Sequence, residues 1–185
     1  MVTENWYALR VRSNHEKAVQ AGLRAIGLGE FLPACVVKSR WTDRVKQIER
    51  PLFPGYVFGR FDPVKRLPVL MLPGVVHVVG NSSGPIPVDE AELDAVRRFV
   101  ESGLSVTPWP YLREGEMVTV QYGPLAGLQG IVLRVKDSCR LVASLTLLQR
   151  SVAVELDRDS VKPVAPARPA IRHSLPATGD LRAAR

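Results

Sequence analysis

Pro51-Leu52-Phe53-Pro54-Gly55-Tyr56-Val57-Phe58 sets a Pro-Gly turn directly before an alternating aromatic strand. Successive side chains of a strand point to opposite faces, so Tyr56 and Phe58 share one face. Two large aromatics on one face need a cover. The domain's own helices are one source of that cover. Another protein is the second, because an aromatic patch left open on a sheet is a docking surface.

Working outward, the chain of 185 residues suffices for one medium domain or two small ones, and 46% of its residues are hydrophobic. With a mean hydropathy of +0.03, this is the composition of a globular chain. The longest apolar stretch, residues 67–76, is interrupted by Pro68 and Pro73 and is too short to span a bilayer. The first residues, Met1-Val2-Thr3-Glu4-Asn5-Trp6, lack a basic segment followed by an apolar core, so the expectation is a cytoplasmic protein with no membrane contact. Cys35 and Cys139 stand alone, without ligand or disulfide spacing, and read as buried thiols in a reducing compartment. No metal or cofactor is expected.

The formal charge of +7 is unevenly spread. Residues 1–88 carry twelve Lys or Arg against six acids, and residues 89–102 carry two against five. Within the basic half, Lys38, Arg40, Arg44, Lys46 and Arg50 face only Asp43 and Glu49. Such a cluster is either a solvated loop or an element that contacts phosphates.

Residues 6–12 alternate as a half-buried strand, with Tyr7, Leu9 and Val11 on one face. Ser13-Asn14-His15-Glu16 has the form of a capping box, and Val19, Leu23 and Ile26 continue at helical spacing to Gly27 and Gly29. Residues 31–41 predict a second strand, prolonged by a basic hairpin to Arg50, and residues 55–61 a third. Pro73-Gly74 turns into a fourth strand over residues 75–79. Asp89-Glu90-Ala91-Glu92 caps a last helix with Leu93, Val96, Phe99 and Val100 in one stripe. The first domain, residues 1–102, is thus an α+β fold in which helices pack on a mainly antiparallel sheet.

Residues 103–113 hold Pro108 and Pro110 without periodicity and read as a short, stiff linker. Residues 114–164 then change texture to four or five short strands separated by Gly-rich turns. So small a sheet closes as a barrel, because an open one leaves sticky edges. Leu141, Leu145 and Leu148 at helical spacing keep a fold-switching helical form open beside the barrel. Residues 165–185, rich in Ala, Pro and Arg, are expected to be a disordered basic tail.

Trp6-Tyr7 opening a strand, the Pro51–Phe58 octapeptide, Pro73-Gly74-Val75 before a strand, and Gly115-Glu116-Met117-Val118-Thr119-Val120 leading to Gly123-Pro124-Leu125-Ala126-Gly127-Leu128-Gln129-Gly130 together resemble the NusG family of transcription elongation factors. The resemblance covers roughly residues 5–163, with an NGN-like domain followed by a KOW domain, an SH3-like β-barrel. Gly-Pro-x-x-Gly in a small barrel is the KOW pattern, shared with ribosomal proteins. The Pro-Leu-Phe-Pro form, followed by Phe61-Asp62-Pro63, resembles the specialised RfaH-like paralogues more than the housekeeping factor.

The resemblance implies an elongation and antitermination factor that bridges the cleft of bacterial RNA polymerase and suppresses pausing. By that resemblance, Tyr56 and Phe58, with Arg10 beside them, seat on a coiled coil of the largest subunit. Lys65, Arg66 and Leu67 reach the second-largest subunit. Arg12, His15 and Lys17 lie along the non-template DNA strand, and Lys38, Arg40, Arg44 and Lys46 add nucleic-acid contacts. Leu147, Leu148 and Arg150 of the KOW domain recruit a partner, either a small-subunit ribosomal protein or the termination factor Rho. In the housekeeping factors a Gly commonly stands where this chain has Gln149, a departure that bears on Rho. The protein is expected to act as a monomer.

His15, His77 and His173 have no paired ligands at metal spacing, no Gly-rich loop opens a helix, and no Ser occupies a nucleophile elbow, so the chain is not expected to be an enzyme. The rival reading is a ribosome-associated or general RNA-binding KOW protein. With 6% aromatic residues, platforms for stacking single-stranded bases are sparse.

Overall fold

A computed structural model of the chain describes the backbone of residues 4–40, 45–111, 115–135 and 138–164, and side chains for all of these except 37–40, 45–47, 134, 135 and 158. The expected disordered tail, residues 165–185, lies outside the described residues.

The chain opens with β1 (Asn5–Val11) and α1 (Glu16–Ala25). Tyr7, Leu9 and Val11 of β1 pack on Val19 and Leu23 of α1, as the alternation and the helical spacing predict. The capping box does not form. His15 is the N-cap and makes no side-chain cap bond, while Glu16 turns inward and accepts a 2.9 Å hydrogen bond from the Gly55 N–H. A buried turn N–H needs an acceptor, and this bond across the fold outcompetes the local one.

The single strand expected over residues 31–41 is two strands, β2 (Gly29–Phe31) and β3 (Ala34–Arg40), separated at Pro33. Proline cannot donate to a ladder, and its carbonyl instead accepts from the Leu52 N–H at 2.8 Å. β3 pairs only with β4 (Val45–Pro51), giving the basic hairpin its own two-stranded sheet. Then follow β5 (Tyr56–Phe61), a 3-10 turn capped by Asp62, α2 (Leu67–Leu70), β6 (Val75–Val78), and the small β7 (Gly80–Asn81) and β8 (Gly84–Pro85) pair. The main sheet runs β2-β5-β1-β6, with β5 antiparallel to both of its neighbours. α3 (Glu90–Glu101) is capped by Asp89, which accepts from the N–H groups of Ala91 (2.8 Å) and Glu92 (3.2 Å). Its Leu93, Val96 and Phe99 are fully buried.

The second sheet contains a strand that the sequence reading missed. β9 (Val106–Trp109) comes from the segment read as linker and pairs with β13. With β10 (Glu116–Val120), β11 (Gln129–Val135), β12 (Ser138–Leu145), β13 (Arg150–Asp157) and β14 (Val161–Pro163) it makes a six-stranded antiparallel sheet, ordered β14-β10-β11-β12-β13-β9. Val118, Val120, Leu125, Val132, Leu141, Leu145, Val152 and Val154 form its apolar interior. Residues 138–145 and 150–157 are strands joined by a single 3-10 turn over Thr146–Leu148, so the helical form that the leucine spacing left open is not adopted. Both edges of the ladder carry prolines, Pro108 in β9 and Pro163 in β14, which blunt them against further pairing.

The two halves pack together. α3 lies against β12, and one continuous apolar cluster runs from Ala8, Phe53, Phe58 and Phe99 into Val118, Leu141 and Val152 of the second sheet. Neighbouring Val142 and Ala143, on opposite faces of β12, are consequently both buried.

Candidate functional site

The turn that begins the motif octapeptide is held in place by two long-range contacts. Gly55 adopts φ +82, with the Arg10 guanidinium close against its Cα. Glycine holds that conformation without strain. Glu16 binds the Gly55 N–H, and the Val11 N–H binds its carbonyl at 2.9 Å. The turn thereby sets Tyr56 opposite Arg10 in the β1–β5 register, with the Arg10 guanidinium 5.0 Å from the centre of the Tyr56 ring. Arg10 and Tyr56, paired in the sequence reading, do meet.

Phe58 requires a correction. It is fully buried, its ring edge-on to Phe53 at 6.1 Å and tilted against Phe31 at 6.2 Å. The expected two-aromatic surface is therefore reduced to Tyr56, because Phe53, Phe31 and the apolar cluster shared with α3 already cover the other ring.

The half-buried Tyr56 is itself covered, and by the other half of the chain. The Arg150 guanidinium lies 5.2 Å from the centre of its ring, and Leu147 and Leu148 pack against the shared cluster. The partner-binding loop of the sequence reading thus sits over the aromatic face of the same reading. Two contacts that the sequence reading missed fasten this arrangement. Glu92 of α3 accepts hydrogen bonds from Thr146 through the backbone N–H (2.9 Å) and Oγ1 (2.6 Å), and Arg98 donates to the Ala126 carbonyl at 2.7 Å. Nothing in the sequence distinguishes Glu92 or Arg98 from solvated residues of an amphipathic helix. Gln149 adopts φ +50, the left-handed region where glycine is strain-free, and its amide closes the turn onto the Thr146 carbonyl at 2.7 Å.

Arg12, His15 and Lys17 are exposed together where β1 leads into α1. His15 Nδ1 lies 3.1 Å from the Ser13 carbonyl, and its ring packs on Gly74, which follows Pro73. Lys17 forms a 2.6 Å ion pair with Glu49 of the hairpin, tying that hairpin to α1. Lys38, Arg40 and Lys46 lie on β3 and β4, with Lys38 opposite Gln47 and Ser39 opposite Lys46. Their side chains, and Arg44 altogether, lie outside the described residues. Replacing Lys38, Arg40 and Lys46 by Gln is expected to flatten the salt dependence of nucleic-acid binding by up to about one log unit per lost phosphate contact. A titration across salt concentrations reads that slope, and an unchanged slope reduces the hairpin to a solvated loop.

Lys65 and Arg66, between β5 and α2, and Leu67, the first residue of α2, are exposed, with Val64 84% and Met71 74% exposed beside them. Partial burial raises the Cys35 thiol above its usual pKa, an effect partly offset by a backbone hydrogen bond and by Arg50, and this makes it the poorer nucleophile. Among the described residues no group of His, Cys, Asp or Glu is placed to hold a metal ion, and no helix is long and apolar enough to cross a membrane.

A family model described as NusG, transcription termination factor nusG, matches residues 4–97. The transcription termination/antitermination protein NusG of Escherichia coli K12 is 33% identical over 175 residues, covering 86% of this chain and 96% of that protein. The protein of the same name from Campylobacter jejuni is 29% identical over 169 residues, covering 84% and 95%. Among solved structures, one concerned with domain interaction in Thermotoga maritima NusG aligns with a TM-score of 0.52 at 21% identity, over 88% of this chain and 98% of that one, a likeness of fold.

Proposed function

This chain belongs to the NusG family, and we propose that it is a transcription termination/antitermination factor that docks on RNA polymerase through the surface around Arg10 and Tyr56. One observation carries the assignment of the surface. Besides burying Leu52, Phe53 and Phe58 in the core, the octapeptide folds into a turn that places Tyr56 beside Arg10, secured from the far side of the fold by Glu16. A carboxylate buried to bond a single turn N–H is a costly means of shaping a turn without a task. An aromatic ring paired with an arginine is the side-chain chemistry enriched at the centres of protein interfaces.

The finer assignments follow from the exposed residues. Arg12, His15, Lys17 and the hairpin lysines and arginines form the side that meets DNA, where phosphate contacts position without reading sequence. Lys65, Arg66 and Leu67, with the exposed Val64 and Met71 beside them, provide a second polymerase contact. Leu147, Leu148 and Arg150 recruit a further partner, a small-subunit ribosomal protein or Rho, once the second half leaves Tyr56. The protein works by binding, without bond chemistry. Domain limits at residues 1–102 and 114–164 suit this division, with the addition that Val106–Trp109 belongs to the second sheet.

A single-round elongation assay with the cognate polymerase tests the proposal. The full chain is expected to shorten dwell at pause sites, and Tyr56→Ala to lose most of that effect. An equal effect of both proteins would move the docking surface elsewhere. Retention by nuclease-treated polymerase separates this reading from an RNA-binding KOW protein, whose association would be lost with the RNA.

A further inference from the structure

The segment between α3 and β10 holds a strand that sequence patterning does not predict. β9 is four residues long, adds to the outer edge of β13 in antiparallel register, and leaves Thr107 and Pro108 exposed. Val106 opposite Val154 is its buried anchor, 5% exposed, and Trp109 opposite Ser151 is held by the Arg140 guanidinium, 4.9 Å from its ring. Pro108 lacks an N–H and, with Pro110 following, makes the segment a poor strand former. The β13 edge is therefore a formed seat occupied by a weak occupant.

The same strand sets how far the two halves can part. With β9 seated, only residues 102–105 join α3 to the second sheet. Those four are themselves folded back, since Ser102 Oγ donates to the Phe99 carbonyl at 2.6 Å and accepts from the Leu104 N–H at 3.2 Å, with Gly103 at φ +71. Fully drawn out, four residues span roughly 14 Å, which allows little more than a swing about α3's end. If β9 leaves, residues 102–115 become the connection, and fourteen residues span roughly 50 Å.

We propose that β9 is a displaceable strand: an extended segment of a partner protein takes its place on the β13 edge, and the exchange lengthens the tether between the two halves from four residues to fourteen. The seat defines the occupant. It is an antiparallel β-segment with a β-branched residue opposite Val154 and an aromatic residue opposite Ser151, free of proline at the position opposite Val152. Such a segment needs that advantage, because β9 competes from within the chain at an effective concentration of about millimolar.

The probe is a synthetic peptide of residues 104–111 carrying Pro108→Val, titrated into the isotope-labelled full chain. Saturable shifts are expected at the amides of Ser151, Val152, Ala153 and Val154, together with faster hydrogen exchange at Val106 and Thr107. The peptide of unchanged sequence should bind roughly tenfold more weakly or worse. Introducing Pro108→Val into the chain itself strengthens the resident strand and should weaken peptide binding by about the same factor; equal affinity for the two chains overturns the exchange. The tether is read by spin labels on exposed Ala18 and Gln121, in a chain carrying Glu92→Ala and Arg98→Ala so that the halves are free to part. Peptide should extend the distance distribution, and an unchanged distribution overturns the lengthening. No polymerase enters either measurement, so their outcome is separate from that of the elongation assay.

Discussion

Phe58→Ala is expected to lower the unfolding free energy by about 3–5 kcal/mol, the usual cost of truncating a core aromatic. The side chain is fully buried, lies across from Ala8 in the β1–β5 register, and packs between Phe53 and Phe31. Removing it opens a cavity in the cluster that joins both halves, so neither half can collapse onto the gap without disturbing the other. At this chain length such a loss lowers the melting temperature by roughly 10 °C. Tyr56→Ala supplies the contrast. Tyr56 is half-buried, and its cation–π contacts with Arg10 and Arg150 each contribute only about 0.5–1 kcal/mol. Urea melts of the two variants should therefore separate widely. If Phe58→Ala melts with the parent chain, the ring is surface and the docking face has two aromatics after all.

That contrast also marks what sequence patterning can and cannot deliver. Alternation placed Tyr56 and Phe58 on one face, and they do share it. It said nothing about depth, because burial at Phe58 depends on Phe53, three residues before the strand, and on Phe31, from a strand distant in sequence. The Asp89 cap was legible because its partners, the N–H groups of Ala91 and Glu92, are local. The Ser13-to-Glu16 box was misread for the complementary reason, since Glu16 had a better donor 39 residues away. β9 escaped notice because a proline-containing segment has no strand propensity of its own. It is a strand only because β13 offers an edge. Arg12, His15 and Lys17 came from the family resemblance rather than from any local pattern, and they are exposed together where β1 turns into α1.

Replacing both Glu92 and Arg98 with Ala in the full chain should tighten polymerase binding by about 10- to 100-fold. In the closed chain the Arg150 guanidinium lies over Tyr56, so a polymerase surface that needs that ring can bind only the fraction of molecules in which the second half has moved away. The measured dissociation constant then exceeds the intrinsic one by the inverse of that fraction. Glu92 contributes two hydrogen bonds to Thr146, and Arg98 one to the Ala126 carbonyl. At about 0.5–1.5 kcal/mol each, less what solvent already takes from half-exposed groups, their loss shifts the closing equilibrium by about 1.4–2.8 kcal/mol, the 10- to 100-fold range. Neither residue contributes to the core of either half, so each half should keep its fold while the joint loosens. Adding Tyr56→Ala to the pair should erase the gain, because the opened face no longer carries its anchor. Equal dissociation constants for the parent and the double variant would mean that closure does not compete with docking, and that polymerase binds a surface left open while Arg150 still covers Tyr56.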